Sequence, residues 1–122
     1  MEHATSEIDQ VLPLTPTVLH ILLALADQER HGYGIMQEVM VMTQNRVRMG
    51  PGTLYGSIKR MLKANLIEES DERPDPELDD ERRRYYRLTD FGRRVLIAEA
   101  QRLSTLVGVA QIKRILGRAE VV

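Results

Sequence analysis

The feature that most restricts the fold of this chain is an apolar segment close to the start of the sequence. It runs from residue 17 to residue 26, and its large apolar residues are Val18, Leu19, Ile21, Leu22, Leu23 and Leu25. Thr15 and Pro16 stand directly before it, and a threonine cap followed by proline is typical of a helix start. A helix that is apolar on nearly every face has to be buried on nearly every face. In a chain of 122 residues, this predicts either a central helix or one shared with a second subunit.

Three more helices are predicted further along the chain. The second covers residues 31–43, with His31 serving its start, and the third covers residues 51–65. The third helix carries apolar residues at the spacing of one helix face, namely Leu54, Ile58, Met61 and Leu62. A long final helix is expected over residues 90–116, capped by Thr89 and ended by Gly117. Its heptad-like seam is suited to packing on another helix and consists of Leu96, Ala100, Leu103, Val107 and Ala110.

Between the third and last helices, the sequence predicts two short strands that pair as a hairpin. The strands cover residues 66–70 and 82–88, and Tyr85 and Tyr86 alternate on the second strand, so one is expected in the core and the other exposed. The tip, residues 71–81, holds two prolines and seven acids. The resulting order of elements predicts a mainly α, winged helix-turn-helix domain with a long C-terminal dimerisation helix.

Composition argues against several classes of function. The chain has no cysteine, which excludes disulfides, thiolate metal sites and a cysteine nucleophile. His3, His20 and His31 lack metal-ligand spacing, and we expect His20 to be a satisfied core residue. With no phosphate-binding Gly-Lys motif, the chain is predicted not to be an enzyme and to need no cofactor or metal. No apolar run spans a membrane and the first residues lack a signal pattern, so we predict a cytoplasmic protein that does not bind membranes.

A stretch without acidic residues indicates the function. Residues 43–65 carry five basic side chains and no acid, although the net charge of the chain is −1. These side chains are Arg46, Arg48, Lys59, Arg60 and Lys63. The third helix therefore offers small and basic residues opposite its apolar stripe, as a helix in the major groove of DNA requires. Pro51 and Gly52 leave backbone N–H groups at the helix start that can hold a phosphate.

The return strand of the hairpin adds the basic triplet Arg82, Arg83 and Arg84. These arginines could enter the minor groove or hold the DNA backbone. The alternative is that they pair with the acidic tip beside them. In the same way, Tyr55 could simply pack, and the lysines of the third helix could form an ordinary solvated face.

Several motifs together resemble the PadR family of bacterial transcriptional regulators. They are His31-Gly32-Tyr33, Pro51-Gly52-Thr53-Leu54-Tyr55, Leu66-Ile67, Arg84-Tyr85-Tyr86-Arg87-Leu88-Thr89 and Gly92. The resemblance covers roughly residues 13–116. It implies a homodimer whose first and last helices build the interface, and an inverted-repeat operator that is usually bound as a repressor. It also implies that Tyr33, Thr53, Tyr55 and Lys59 lie at the DNA.

The expected sites follow from both arguments. DNA-binding residues are predicted to be Tyr33, Gly52, Thr53, Tyr55, Gly56, Lys59, Arg60, Lys63, Arg82, Arg83 and Arg84. Dimer contacts are predicted at Leu19, Leu22, Leu96, Ala100, Leu103, Val107 and Ala110. The expected partners are double-stranded DNA and a second copy of the chain, and a small-molecule effector is left open.

The expected organisation has three parts: a polar leader over residues 1–12, the winged helix-turn-helix over residues 13–88, and the dimerisation helix over residues 89–122. The alternative function is that of a winged-helix protein–protein interaction module without DNA binding, which the acidic hairpin tip and the net charge favour. Salt-dependent binding to duplex DNA discriminates between the two.

Overall fold

The structure is a computed structural model that describes residues 7–70 and 84–117. The described part contains five helices and one three-stranded sheet. In chain order they are α1 (Glu7–Val11), α2 (Pro16–Ala24), β1 (Arg30–His31), α3 (Gly32–Met42), α4 (Pro51–Lys63), β2 (Ile67–Glu69), β3 (Tyr85–Leu88) and α5 (Asp90–Ile112). This arrangement confirms the mainly α winged-helix class.

The three predicted helix caps are present. Thr15 precedes α2, and its hydroxyl accepts a hydrogen bond from the Val18 N–H, while Pro16 is the first helical residue. The Nδ1 atom of His31 accepts the Gly34 N–H at 3.0 Å at the start of α3. The hydroxyl of Thr89 accepts the Gly92 N–H at 2.9 Å at the start of α5. Each cap satisfies an N–H group that has no partner within the first turn.

Helix α2 is the centre of the core within one protomer. Its Ile21, Leu22, Ala24 and the following Leu25 are buried. They pack with buried residues of the three longer helices, namely Ile35, Val39, Leu54, Ile58, Met61, Val95 and Leu96. Only the outer side of α2 faces away from the core, where Leu19 is half-buried and Leu23 is exposed. The apolar segment therefore forms a central helix within one protomer, which is one of its two expected arrangements.

The sheet contains a strand that the sequence did not indicate. The strand order is β1-β3-β2 and both pairings are antiparallel, with Arg30 opposite Tyr86 and Ile67 opposite Leu88. Strand β1 has only two residues, too few to show an alternating pattern. Tyr86 is buried as the core member of the tyrosine pair, whereas β1 covers part of Tyr85, which is half-buried instead of exposed.

Two chain ends differ from expectation. Residues 7–11 of the polar leader form α1, and Ile8 and Val11 pack against the core. Helix α5 ends at Ile112 and not near residue 116, because Arg114 adopts a left-handed conformation with a φ of 62°. Arg114 therefore takes the terminating place that was expected of Gly117. Helix α4 ends at Lys63, two residues before the predicted end, and Asn65 adopts a left-handed conformation with a φ of 63° just after it.

Helix α5 is anchored at one end and projects at the other. Its buried residues are Gly92, Val95, Leu96 and Glu99, and none of its residues after Glu99 is buried. Gly92 lies against the backbone carbonyl of Leu66, and the Thr89 hydroxyl donates to the Asn65 carbonyl at 2.6 Å. The second half of α5 therefore projects from the core without a buried residue of its own.

Candidate nucleic-acid interface

Helix α4 has two opposite faces. Leu54, Ser57, Ile58 and Met61 are buried against the core. Lys59, Arg60 and Lys63 are exposed on the opposite side, together with Gly52 and Thr53 near the helix start. The structure thus brings six of the predicted DNA-binding residues onto or beside one surface, which we call the basic face: Gly52, Thr53, Gly56, Lys59, Arg60 and Lys63.

The charge of the basic face is not neutralised by acids in the part of the chain that the structure describes. Neither Lys59 nor Lys63 has an ion pair there, and the Arg60 guanidinium donates only to the Ser57 hydroxyl of its own helix, at 3.2 Å. Elsewhere arginines are paired: Arg30 with Asp27 and Glu38, and Arg87 with Glu29 and Glu68. The basic face therefore keeps a local positive field in a chain whose net charge is −1.

The start of α4 offers unpaired backbone donors. Gly50 is the cap residue and supplies no side-chain hydrogen bond, and Pro51 occupies the first helical turn. A Cβ atom at Gly52 would meet nothing within 4 Å, so the backbone is open on this side. The first N–H groups of a helix lack intrahelical partners and carry partial positive charge, which suits a phosphate.

The two tyrosines assigned to the site occupy different surroundings. Tyr55 is half-buried, and its ring lies over Gly32 so closely that a Cβ atom on that glycine would overlap the phenol. Tyr55 therefore joins α4 to the start of α3. Tyr33 is exposed, and its ring stacks on His31 at a centroid distance of 6.5 Å. Tyr33 is free to reach a ligand, while Tyr55 has a packing role whatever else it contacts.

Of the three arginines of the basic triplet in the hairpin, only Arg84 is among the described residues. Arg84 pairs with Glu69 across the hairpin at 3.5 Å, and both side chains are partly exposed. Arg82, Arg83 and the acidic residues of the tip lie outside the described residues, so their expected roles remain predictions. The partner of Arg84 is therefore an acid of β2, which the sequence reasoning did not consider.

Sequence reasoning also missed a charged cluster beneath the wing. The Arg87 guanidinium lies 2.9 Å from a carboxylate oxygen of Glu68 and 3.5 Å from one of Glu29. The hydrogen bond that the Arg87 guanidinium donates to Glu68 is the main cause that raises the pKa of Arg87. Glu29 also accepts the hydroxyl of buried Ser70 at 2.8 Å. The cluster joins the residues before β1 to the hairpin, and no sequence pattern places Glu29 beside a strand so distant in the chain.

The predicted dimer seam divides into two groups. Leu22 has no exposed surface and Leu96 is 6% exposed, so both lie in the core of one protomer and offer almost no surface to a second copy. Ala100 and Val107 are exposed, Leu103 and Ala110 are half-buried, and all four lie on the projecting half of α5. We therefore revise the seam to this half and to the outer side of α2, which carries Leu19.

His20 has a polar partner, as expected, because its Nδ1 lies 2.6 Å from the Pro16 carbonyl oxygen, but it is only half-buried and is not a core residue. Over residues 7–70 and 84–117, no group of three acidic or histidine side chains is arranged to hold a metal ion. Over the same residues, no helix has the length and apolar character that crossing a membrane requires.

Comparison with known proteins adds the family. Residues 21–98 match the family described as Transcriptional regulator PadR-like family, a range that begins within α2, ends within α5 and includes the whole of the basic face. The chain belongs to the PadR-like family. It is therefore similar to transcriptional regulators, and the family resemblance that the motifs indicated is confirmed.

Individual PadR-like relatives agree. The chain is 38% identical over 88 residues to Transcriptional regulator Rv3488 of Mycobacterium tuberculosis, which is 72% of this chain and 76% of that protein. It is 34% identical over 88 residues to an uncharacterised 37.1 kDa protein in a transposon of Streptomyces fradiae. That alignment covers only 23% of the length of the transposon protein.

Solved PadR structures share the fold. A PadR family transcription regulator from Clostridium difficile superposes with a TM-score of 0.63 at 26% identity, covering 80% of this chain and 96% of that one. A PadR-like transcriptional regulator from Bacillus cereus also gives a TM-score of 0.63, at 24% identity, covering 93% and 97% of the two chains. In this family frame, α3 and α4 are the helix-turn-helix pair and the β2–β3 hairpin is the wing.

Proposed function

We propose that this PadR-like protein is a sequence-specific DNA-binding repressor that acts as a homodimer on an inverted-repeat operator. The observation that carries the proposal is the unpaired basic face of α4. A basic side chain that serves only solubility can pair with a nearby acid, as Arg87 pairs with Glu68. Lys59 and Lys63 are left without such partners among the described residues, which is what contact with phosphate requires.

Each residue of the basic face has a role in this proposal. Lys59, Arg60 and Lys63 contact phosphates or guanine edges when α4 lies in the major groove. The backbone N–H groups at Gly52 and Thr53 hold a phosphate at the helix start. Gly56 adds no side chain to the surface and permits close approach. Tyr33 contacts the DNA backbone from the start of α3, and Tyr55 fixes α4 against α3.

The projecting half of α5 supports the dimer. Its seam, with Ala100, Leu103, Val107 and Ala110, has the spacing of a helix–helix contact and is at most half-buried within the protomer. Pairing two copies along it, with Leu19 of α2 beside it, removes this surface from water. The dimer then presents two α4 helices to successive major grooves, about 34 Å apart.

Repression follows if the bound dimer blocks access of polymerase to a promoter. Release of the DNA by a small-molecule effector is compatible with the half-buried methionines of α3, but no described feature selects a ligand class. A cytoplasmic location and the lack of catalytic activity also stay predictions.

The test is binding of the purified protein to its own upstream DNA, compared with random duplex. We expect specific binding to be tighter by about a thousandfold or more, as is common for such regulators. The double variant Lys59→Ala/Arg60→Ala is expected to lose most of this affinity. The matched control Arg94→Ala/Lys113→Ala removes the same charge from exposed positions of α5 and is expected to retain it.

The opposite result supports the rival function. If the wild type binds upstream DNA no better than random duplex, and selection from genomic fragments also returns no preferred sequence, the repressor proposal is wrong. The winged-helix domain then acts as a protein–protein interaction module.

A further inference from the structure

Glu99 is a buried carboxylate that the proposed DNA contacts do not use. Its relative exposure is 1%, and it lies on α5 about one turn after the buried residues Val95 and Leu96. A glutamate is almost never fully buried unless it is paired, because removing its charge from water costs several kcal/mol, on the order of the stability of a small domain. Its presence in the core therefore calls for a physical reason.

Three hydrogen bonds hold the carboxylate. The Leu14 backbone N–H donates to Oε2 at 2.9 Å, and the Arg102 guanidinium donates through Nε to Oε1 at 2.5 Å and through Nη2 to Oε2 at 3.1 Å. Leu14 is 85 residues away in the chain and stands directly before the cap of α2. One side chain thus joins the start of the central helix to the final helix.

The position of Glu99 along α5 indicates what this link does. Glu99 is the last buried residue of the helix, so it stands where α5 leaves the core and begins to project. Helix α1 packs on α5 as well, and its Ile8 and Val11 contact the core. Residues 7–14, which we call the strap, therefore contact both the core and α5, and Glu99 ties their last residue, Leu14, to the place where α5 leaves the core.

Stability alone does not require an ion pair here. Replacing a buried pair by an apolar side chain of similar volume is often neutral or stabilising. Arg102 is 39% exposed at its side chain, so its charge remains hydrated if its partner is removed. Apolar packing has no preferred direction. Hydrogen bonds to a carboxylate do, and they fix the strap at one place and one angle.

We propose that Glu99 is a positioning residue that fixes the angle at which the dimerisation arm leaves the DNA-binding domain, and so selects the spacing of the two operator half-sites. The proposal rests on the proposed function, since it assumes that α5 joins the dimer and α4 enters the groove. Without the link, the domain pivots about the exit point of α5. The two basic faces then accept a wider range of separations.

The experiment measures spacing preference with the full chain. Wild-type protein first selects its preferred inverted repeat from a pool of random duplexes. Duplexes with one or two base pairs added or removed between the half-sites are then compared by their dissociation constants. Each added base pair moves a half-site by about 3.4 Å along the axis and by about 35° around it, which a fixed arm resists and a free arm tolerates.

The central variant is Glu99→Met, which fills the volume and removes the acceptors. We expect it to remain a folded dimer and to reduce the preference for the selected spacing by about fivefold or more, a modest coupling between two sites. Glu99→Gln keeps the shape and one acceptor oxygen, and is expected to reduce the preference by about twofold, because bonds to a charged acceptor are roughly twice as strong. The matched control Glu68→Gln removes a paired carboxylate from the wing and is expected to leave the preference unchanged.

The outcomes separate the two proposals. A folded Glu99→Met dimer that keeps the wild-type preference overturns the positioning role while the repressor proposal stands. If Glu99→Met does not fold, Glu99→Gln decides, and an unchanged preference in that variant overturns the role. If the wild type selects no inverted repeat at all, the proposed function fails, and the role of Glu99 fails with it.

Discussion

At Gly92, helix α5 approaches the chain that follows α4 more closely than any side chain permits. A Cβ atom at this position would overlap the backbone carbonyl of Leu66, and a backbone group cannot rotate away as a flexible side chain can. Gly92→Ala is therefore expected to lower the free energy of unfolding by about 1–3 kcal/mol or more, as overpacking does. Urea titration followed by circular dichroism measures this change.

The control lies on the same helix. Gly108 has no neighbour within 4 Å of where a Cβ atom would lie, so Gly108→Ala is expected to stabilise the protein by roughly 0.5–1 kcal/mol through helix propensity. Equal effects of the two substitutions would contradict the close approach at Gly92.

Glu99 makes a second prediction, which concerns acid. Arg102 is the main cause that lowers the pKa of Glu99, and the Leu14 N–H lowers it further, while burial opposes both. Because the pKa is lower in the folded state than in the unfolded state, the carboxylate stabilises the fold above the unfolded pKa of about 4.3. That stabilisation is lost as the pH falls from there through the folded pKa.

Denaturant titrations from pH 6 to pH 3 measure this contribution. Wild-type protein is expected to lose more stability over that range than Glu99→Gln, which has no carboxylate to protonate at this position. Parallel curves for the two proteins would show that the ion pair does not contribute. Glu68→Gln serves as a comparison in which an exposed carboxylate is removed.

Among the elements, α5 has an apolar seam that extends beyond the part of the helix buried in its own protomer. The seam continues beyond Glu99, where Ala100 and Val107 are exposed and Leu103 and Ala110 are only half-buried in the described protomer. Val107→Glu places a charge at this seam and is expected to raise the dimer dissociation constant by about a hundredfold or more, since like charges brought together cost several kcal/mol.

Ile97 provides the matched control for Val107. The two side chains are 51% and 45% exposed and lie on the same helix, but Ile97 lies about a quarter turn or more around the helix from the seam. Ile97→Glu is expected to leave the dimer intact in light-scattering and sedimentation measurements. Equal dissociation by both variants would contradict a dimer built on the seam.

The elements show where sequence patterns stop being informative. Helices α2 and α4 begin at their predicted residues because caps and prolines act locally, within one turn. Strand β1 was missed because two residues carry no period, and its pairing with β3 depends on a contact between Arg30 and Tyr86, which are 56 positions apart in the chain. The left-handed residue that ends α5 is Arg114 instead of a glycine, an outcome that residue preference does not favour.

At the scale of the whole molecule, the class of fold and the position of the basic face could be predicted from the sequence. How deeply individual side chains are buried could not. The spacing of Lys59 and Lys63 against Ile58 and Met61 is enough to place the charges opposite the core. Leu22 and Leu96 have the same residue type as Leu19 and Leu103, which stay predicted seam residues, and only the packed protomer shows that Leu22 and Leu96 belong to its own core. The contact between Glu99 and Leu14 could not be predicted from the sequence, because Leu14 donates through its backbone N–H and a backbone donor has no sequence signature.

The central claim is that the basic face of α4 binds DNA phosphates. The most direct measurement is the dependence of the DNA-binding constant on salt concentration for the wild type and for Lys59→Ala/Arg60→Ala. Binding to phosphates releases counterions, so the account predicts a steep slope that becomes shallower by about 0.9 for each phosphate contact that the variant loses. A wild-type slope near zero, or a variant slope equal to that of the wild type, would contradict it.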